Sequence, residues 1–248
     1  MAEKIESKLE SPIDDIVDDF SQLDISNKPT MEQYFAFLPN DQGDTMLHSA
    51  IIEKDEHIVM YLINIALSPA WINLKNSLSQ TPLHLAVLTN QLTVARRLVV
   101  GGARLTSQDD NGNTPLHLAS MKGFTMIARA LTTPVTHIER KENRYDIPHQ
   151  SISEMMNIYN FEGMACTHVA ALHRNNQIMK IFIQRGANMD LKERKHGKTC
   201  LHIACVNGDD NMINLLCRTK SCDTTAETYD GYTPGDFLDK NRRRFYKI

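Results

Sequence analysis

The sequence has few of the features that mark secreted, membrane-spanning or metal-stabilised proteins. Its five cysteines form an odd set without a Cys-x-x-Cys pair, so it predicts neither a disulfide framework nor a structural zinc site. No stretch approaches the roughly 18 to 20 apolar residues that cross a bilayer, and the first residues form no apolar signal region. We therefore expect a protein of a reducing compartment, cytoplasmic or nuclear, that does not bind membranes.

Sequence motifs of enzymes are also missing. The chain contains no G-x-x-x-x-G-K-[ST], G-x-S-x-G or H-E-x-x-H sequence, which mark phosphate-binding loops, serine hydrolases and zinc proteases. The composition predicts no nucleic-acid binder, because 27 basic residues face 30 acidic ones. We predict a protein that is not an enzyme, uses no cofactor and binds other proteins.

Charge is unevenly distributed along the chain. Residues 1–24 hold eight carboxylates against two lysines, and we interpret residues 1–33 as an acidic, flexible segment. Residues 34–238 form the predicted folded domain, with an insertion around residues 133–160. Residues 239–248 form a short basic tail that contains Lys240, Arg242, Arg243, Arg244 and Lys247.

An internal repeat organises the predicted domain. Thr-Pro-Leu-His-Leu-Ala occurs at Thr81–Ala86 and again at Thr114–Ala119, weaker copies begin at Thr45, Ala165 and Thr199, and a degenerate sixth unit follows Tyr229. The aligned histidines are spaced by 36, 33, 51 and 34 residues, the 51 being one period plus the insertion. A period of about 33 residues with this sequence indicates ankyrin repeats. The predicted fold is an all-α solenoid of about six repeats with β-turn fingers.

The repeated residues have physical reasons. A threonine hydroxyl suits the helix N-cap, and Pro82 and Pro115 stand at the first helical position, where a missing N–H has no cost. Units three and five have glycine in the turn between their two helices, where units one and four have Lys54 and Arg174. If that turn is left-handed, we expect about 1 kcal/mol of strain at each of these two residues.

Five histidines could form a metal-binding or catalytic set, but they occupy the same position in successive repeats. Equivalent positions of stacked repeats lie in a row along a solenoid, and a metal ion needs ligands that converge within about 2 Å of one point. We therefore interpret the histidines as structural residues that bond the backbone across each repeat junction. They are His48, His84, His117, His168 and His202.

A closer resemblance is carried by the segment at residues 71–91, WINLKNSLSQTPLHLAVLTNQ, which is similar almost position for position to the second repeat of the IκB and Cactus proteins. Ser79-Gln80 replaces the Asp-Gly of a generic ankyrin repeat, as in that family. The opening Gly43–His48, the third-repeat Gly112–His117 and the insertion also match. The resemblance covers roughly residues 34–238.

The resemblance implies binding of a Rel-homology transcription-factor dimer by a chain that is monomeric when free. It further implies that the first repeats mask the nuclear localisation signal of the dimer and that the last repeats hinder DNA binding, so the dimer is retained in the cytoplasm. Asp44 matches an acidic family position in the first finger, Asp41 is a second candidate, and Gln42 replaces a usual aspartate. No direct contact with nucleic acid is expected.

Regulation and location are where the sequence departs from this family. No Asp-Ser-Gly phosphodegron occurs in residues 1–33, which fits a constitutive inhibitor, a diverged paralogue or a pathogen-encoded mimic. The spacing of Ile16, Phe20, Leu23 and Ile25 is that of a leucine-rich nuclear export signal, and it equally fits an amphipathic helix packed on repeat one. Two other functions stay open: a nuclear IκB-like coregulator, favoured by the basic tail, and an ankyrin adaptor unrelated to Rel.

Overall fold

The computed structural model describes residues 30–239, except 142, 144, 148, 149, 220 and 221, together with residues 243 and 246. In chain order its helices are α1 (Met31–Phe37), α2 (Met46–Glu53), α3 (Glu56–Ile65), α4 (Pro82–Leu88), α5 (Leu92–Val100), α6 (Pro115–Lys122), α7 (Thr125–Thr132), α8 (His137–Arg140), α9 (Ile152–Met156), α10 (Cys166–Leu172), α11 (Asn176–Gln184), α12 (Cys200–Asn207) and α13 (Asp210–Cys217). Short 3₁₀ helices lie at Trp71–Asn73 and Pro234–Phe237.

In the described part of the chain, five antiparallel helix pairs stack into two layers. Helices α2, α4, α6, α10 and α12 form the inner layer, and α3, α5, α7, α11 and α13 form the outer one, with each helix packed on its equivalent in the next pair. Buried aliphatic side chains between the layers form one continuous core. The sixth unit, within the described residues, is a finger followed by the 3₁₀ helix Pro234–Phe237, which packs on α12. The predicted ankyrin solenoid is confirmed.

The inner helices begin as the repeated sequence predicts. Thr81 and Thr114 have extended backbone at the N-cap, with ψ of 164° in both, and a proline follows each at the start of the helix. A proline ring fixes a φ that suits the first helical turn, where the backbone N–H would have no partner. The N-caps of the other three inner helices, Thr45, Ala165 and Thr199, are extended as well, so these helices begin at equivalent points without a proline.

The turns between inner and outer helices are left-handed, as the glycines of units three and five suggest. Lys54 has a φ of 62°, Asn90 one of 57° and Arg174 one of 57°, beside Gly123 at 74°. Non-glycine residues in this region carry steric strain of about 1 kcal/mol. The expected strain at Lys54 and Arg174 is therefore located where the sequence predicts it.

The insertion after α7 folds back over the outer layer. The Arg96 guanidinium on α5 donates to both oxygens of Glu139, at 2.9 and 2.8 Å, and to the Ala130 and Thr133 carbonyls. This ion pair holds the pKa of Glu139 at about 2. Tyr145 donates to the Gly101 carbonyl at 3.0 Å. The insertion is thus fixed to the end of α5 by polar contacts.

Helix α1 covers the first repeat. It begins at Met31, ahead of residue 34, where the sequence places the start of the domain. Phe37 packs edge-on against Trp71, with ring centroids 4.9 Å apart, and the Gln33 side chain donates to the Ile65 carbonyl at 3.0 Å. No helix in the described part of the chain is both long and apolar enough to cross a membrane.

Candidate partner-binding surface

Across the residues that the structure describes, six β-turn fingers project along one edge of the solenoid. In each finger the first N–H donates to the carbonyl that closes the turn, as from Asn40 to Asp44 at 2.9 Å and from Asn160 to Met164 at 2.9 Å. A residue with positive φ precedes the closing residue and is glycine in five fingers. Only in finger two does Ser79 stand there, with a φ of 55°. The fingers occupy residues 40–44, 76–80, 109–113, 160–164, 193–198 and 228–232.

Backbone hydrogen bonds join each finger to the next. Their lengths are 3.0 to 3.2 Å, and each runs from an N–H of the later finger to a carbonyl of the earlier one. Backbone groups paired in this way lose freedom to move independently, so the tips of the fingers keep a fixed spacing. The donors and acceptors are Ser77 to Gln42, Asp110 to Leu78, Phe161 to Asn111, Arg194 to Gly163 and Tyr229 to His196.

The five repeat histidines lie at the base of the fingers and connect neighbouring repeats. In the third repeat, His117 Nδ1 accepts from the Thr114 N–H at 3.2 Å and from the Thr114 hydroxyl at 2.8 Å. Its Nε2 donates to the Met164 carbonyl of the next finger at 3.0 Å. His48, His84 and His202 repeat this pattern on Gln80, Asn113 and Tyr232. Each ring therefore bridges two repeats in one fixed tautomer.

The fourth repeat departs from this pattern at two points. Ala165 stands in place of threonine, so His168 Nδ1 accepts only a backbone N–H there, at 3.0 Å. The His168 Nε2 donates to the Leu191 carbonyl at 2.8 Å, ahead of finger five, which is one residue longer than the other fingers and closes from Glu193 to Lys198. This junction has one hydrogen bond fewer than the others.

All five histidines are fully buried, and burial lowers their pKa values, to about 4 for His84 and His117. The rings are therefore neutral at pH 7 and present no charge to a partner. Among the described residues, no group of three His, Cys, Asp or Glu side chains is placed to hold a metal ion. Burial also raises the pKa of the Cys166 thiol to about 12, which keeps it protonated.

The two aspartates singled out in finger one have different environments. Asp41 lies exposed at the tip. Asp44 is half-buried, and its carboxylate accepts from the Asn76 side chain of finger two at 3.0 Å. Asp44 thus has a structural contact as well as a charge. The export-like series Ile16, Phe20, Leu23 and Ile25 lies outside the described residues, and so does most of the basic tail.

Apolar side chains on the inner face form a feature that the sequence reading missed. The residue four positions after each repeat histidine is apolar and at least partly exposed in every copy, reaching 50% exposure at Ile52 and 51% at Val206. Each follows the histidine by about one helical turn, so the signal was present in the alignment of the repeats. The row consists of Ile52, Leu88, Met121, Leu172 and Val206.

Three finger tips also carry large exposed apolar groups. Leu78 of finger two, Phe161 of finger four and Tyr229 of finger six are exposed by 57%, 73% and 61%. Leu88 and Met121 line an open groove of about 510 Å³ together with Phe161 and the tip of finger three. Only the tertiary structure brings Phe161 close to Leu88 and Met121, because the three residues belong to different repeats.

Charge varies from finger to finger. Fingers one and three expose Asp41 and Asp110, and finger four exposes Glu162. Finger five is basic, with exposed Arg194 and Lys195 and with exposed Lys192 just ahead of it, and finger six exposes Asp230. A partner that lies along the fingers therefore meets negative charge that is interrupted by one basic finger near the C-terminal end.

Comparison with known proteins identifies the repeats. The family model described as ankyrin repeats (3 copies) matches residues 23–109, 66–142 and 141–228. The chain is 35% identical over 238 residues to the NF-kappa-B inhibitor cactus of Drosophila melanogaster, covering 90% of this chain and 47% of cactus. It is 33% identical over 154 residues to the human NF-kappa-B inhibitor alpha, covering 62% of this chain and 45% of that protein.

A longer relative and a solved structure give the same result. The NF-kappa-B p105 subunit of Gallus gallus is 30% identical over 207 residues, which cover 82% of this chain and 20% of the relative. The chain thus spans from a fifth to about half of these relatives. The crystal structure of the ankyrin repeat domain of Bcl-3, a member of the IκB protein family, matches with a TM-score of 0.65 and 27% identity, covering 79% of this chain and 80% of that one. The chain belongs to the ankyrin-repeat family and is homologous to cactus, the IκB inhibitors, p105 and Bcl-3.

Proposed function

We propose that this chain is a binding protein that sequesters a Rel-homology transcription-factor dimer, with no catalytic activity of its own. The observation that supports a Rel dimer as the partner is homology to cactus over 238 residues, 90% of the chain, because cactus is named an NF-kappa-B inhibitor. The groove between the inner helices and the fingers supports a protein partner in general. It presents an extended concave surface, which is how ankyrin solenoids bind.

The contact energy comes chiefly from the apolar row and the exposed tips. Burying one large apolar side chain contributes about 1.5 to 3 kcal/mol, and a few such anchors dominate most interfaces. Phe161 and Leu78 stand on different fingers, so one partner surface that covers both spans at least three repeats. We therefore assign these two side chains as anchors for the dimer.

Negative charge in finger one gives the dimer its orientation. The exposed Asp41 attracts the basic nuclear localisation segment of a Rel subunit, and Asp44 adds to the local field while it holds Asn76. The last repeats then lie toward the DNA-binding part of the dimer. Masking of the localisation segment and of the DNA contact both follow from this arrangement.

Cytoplasmic retention with shuttling is the location that this function requires. Residues 1–33 contain no Asp-Ser-Gly sequence, so they supply no twin phosphoserine site, and we expect pathway stimulation to leave the level of this chain steady. The series Ile16, Phe20, Leu23 and Ile25 exports the free protein. Replacing Leu23 and Ile25 with alanine then causes nuclear accumulation while Rel affinity and melting temperature stay unchanged. Unchanged cytoplasmic location of this variant would favour a helix packed on repeat one.

A gel-shift titration tests the proposal. A purified Rel dimer on its DNA site is titrated with the wild-type chain, with a variant carrying Leu78→Ala and Phe161→Ala, and with Met126→Ala. Met126 lies on the outer helix α7 and is 58% exposed, so its variant controls for loss of surface apolar area. Wild type and Met126→Ala are expected to remove the shifted band, and the finger variant to need roughly tenfold or more protein.

Other outcomes of the titration identify the rival functions. A supershifted band would show that the chain binds the dimer on its DNA, as a nuclear coregulator does, and does not inhibit it. If the wild-type chain has no effect on the band and captures no Rel-homology domain in a pull-down, the chain is an adaptor unrelated to Rel. Asp41→Lys separately tests the orientation, because it should weaken binding of the localisation segment and leave the Asn76 contact in place. That loss is expected to shrink as ionic strength rises.

A further inference from the structure

Finger five has a charge that sets it apart from the other described fingers. Lys192, Arg194, Lys195 and Lys198 lie within seven residues, next to His196, and Glu193 is the one carboxylate among them. The neighbouring fingers are acidic, with Glu162 in finger four and Asp230 in finger six. A compact basic surface, the finger-five cluster of Lys192, Arg194, Lys195, His196 and Lys198, therefore stands between two negative ones.

The carboxylate of Glu193 is used inside the finger. It accepts from the N–H groups of Lys195, His196 and Lys198, at 2.7, 2.6 and 3.2 Å, and the residue is only 5% exposed. Burial alone would raise the pKa of Glu193, but these three N–H groups hold it below its ordinary value. Glu193 shapes the loop from within and leaves the cationic side chains at its surface.

Contacts with neighbouring elements hold two of these cations in place. The Arg194 guanidinium lies 4.6 Å from the ring centroid of Tyr159, whose hydroxyl donates to the Lys192 carbonyl at 3.1 Å. The Lys198 ammonium lies 5.8 Å from the ring centroid of Phe237. A cation held over a ring loses less rotamer freedom when it binds an anion. The cluster is therefore partly preorganised.

An open cleft of about 590 Å³ adjoins the cluster. Arg194 and Lys195 line it together with Tyr159 and the exposed ring of Phe161, and Glu162 contributes one carboxylate at the rim. On the other side of the finger, the ring of Tyr229 packs against Gly197, where an added Cβ would approach within 2.7 Å. Positive charge and exposed aromatic surface therefore alternate over three adjacent fingers.

We propose that the finger-five cluster and its cleft bind a short acidic peptide segment with interspersed apolar side chains, supplied by a partner protein. Acidic side chains of the segment pair with Arg194, Lys195 and Lys192, and an apolar side chain lies in the cleft against Phe161. Glu162 and Asp230 lie on the two neighbouring fingers, so the basic surface is only one finger wide. A nucleic acid carries its charge along an extended backbone and would meet both of these carboxylates, so the arrangement favours a peptide.

Fluorescence anisotropy with the full chain tests the proposal independently of Rel binding. The probe is a labelled twelve-residue synthetic peptide of alternating Asp and Phe or Leu residues, with a Lys-for-Asp peptide as the reverse-charge probe. The test variant carries Arg194→Glu and Lys195→Glu. The control carries Lys141→Glu and Lys180→Glu, two exposed lysines away from the fingers, so both variants change the net charge equally. Thermal melting checks that each variant is folded.

The wild-type and control chains are expected to bind the acidic probe, and the test variant to bind it roughly tenfold or more weakly, with a loss that shrinks at high salt. Phe161→Ala is expected to weaken binding about threefold or more, which separates the cleft from charge alone. Equal binding by test and control variants would overturn the proposal, as would no binding by the wild type. Tighter binding of a duplex oligonucleotide than of the acidic peptide would reassign the cluster to nucleic acid.

Discussion

Replacing His117 with alanine tests the coupling between repeats at its most revealing point. The His117 ring is fully buried and joins the N-cap of α6 to the end of finger four, across the insertion. Repeat stability in a solenoid is a sum of terms for single repeats and terms for their interfaces. The substitution therefore weakens one interface in the middle of the array and leaves repeats one and two chemically unchanged.

The size of the effect follows from the groups that lose a partner. The Thr114 N–H, the Thr114 hydroxyl and the Met164 carbonyl all face the vacated space, at 3.2, 2.8 and 3.0 Å from the ring nitrogens they bond. A buried group left unpaired costs about 1 to 3 kcal/mol, although the hydroxyl can turn to another acceptor and water can enter part of the space. We expect a net loss of about 3 kcal/mol.

Urea unfolding followed by two probes measures this loss and where it falls. Trp71 is the only tryptophan, is buried beside repeats one and two, and reports on the N-terminal half by fluorescence. Far-ultraviolet circular dichroism reports on all helices. In wild type we expect coincident transitions. In His117→Ala we expect the circular dichroism midpoint to fall by about 1 to 2 M urea, below the fluorescence midpoint, because the C-terminal repeats unfold first.

Two results would refute the reasoning. A midpoint equal to that of wild type would mean that the histidine bridge contributes nothing to the repeat junction. A large loss with still coincident transitions would mean that the array unfolds as one unit despite the weakened interface. His202→Ala supplies the comparison, because it affects only the last junction and should leave the Trp71 transition nearly unchanged.

Three further predictions concern acid, the fourth repeat and the insertion. The pKa values of His84 and His117 are about 4 in the folded protein, below the unfolded value of about 6.5, so the stability they contribute is complete above pH 6.5 and is lost as the pH falls toward 4. Each loses about 1.4 kcal/mol per pH unit in that window, and melting temperatures measured from pH 7 to 4.5 should fall steeply; a flat profile would contradict the shifts. Ala165→Thr restores the hydroxyl that the other junctions have, so it should raise the free energy of unfolding by about 0.5 to 1.5 kcal/mol and with it the melting temperature. A decrease in melting temperature would show that the hydroxyl does not fit. Arg96→Lys removes the bidentate contact with Glu139, so trypsin should cut residues 133–160 faster than in wild type, and equal cutting rates would show that the contact does not hold the insertion.

The repeat architecture was readable from the sequence because its causes are local. A threonine N-cap, a proline at the first helical position and a histidine three residues after the cap all act within one helical turn, and the roughly 33-residue period repeats them. The left-handed turns at Lys54 and Arg174 followed from glycine at the equivalent position of other units. Stacking then needed no further information, because each repeat can bury its apolar face only against its neighbours.

The partner-binding surface was readable only in part. The acidic residues of finger one were found through the family resemblance, but the contact of Asp44 with Asn76 joins residues 32 positions apart and has no local signal. The apolar row that begins with Ile52 was present in the repeat alignment. It was missed because an apolar residue at helical spacing is usually a core residue. Exposure distinguishes the two, and exposure depends on how the neighbouring repeats pack.

Sequence alone therefore determined the solenoid, its number of units and the histidine row, since hydrogen bonds and dihedral preferences within a few residues fix them. The tertiary structure decided the path of the insertion, which Arg96 holds against α5 from 43 positions away. It also decided the composition of the finger-five cleft, where Arg194 meets Tyr159, just ahead of finger four, and Phe161 on that finger. Those contacts depend on the distance between separate repeats, which no local pattern encodes because it results from the packing of whole helix pairs.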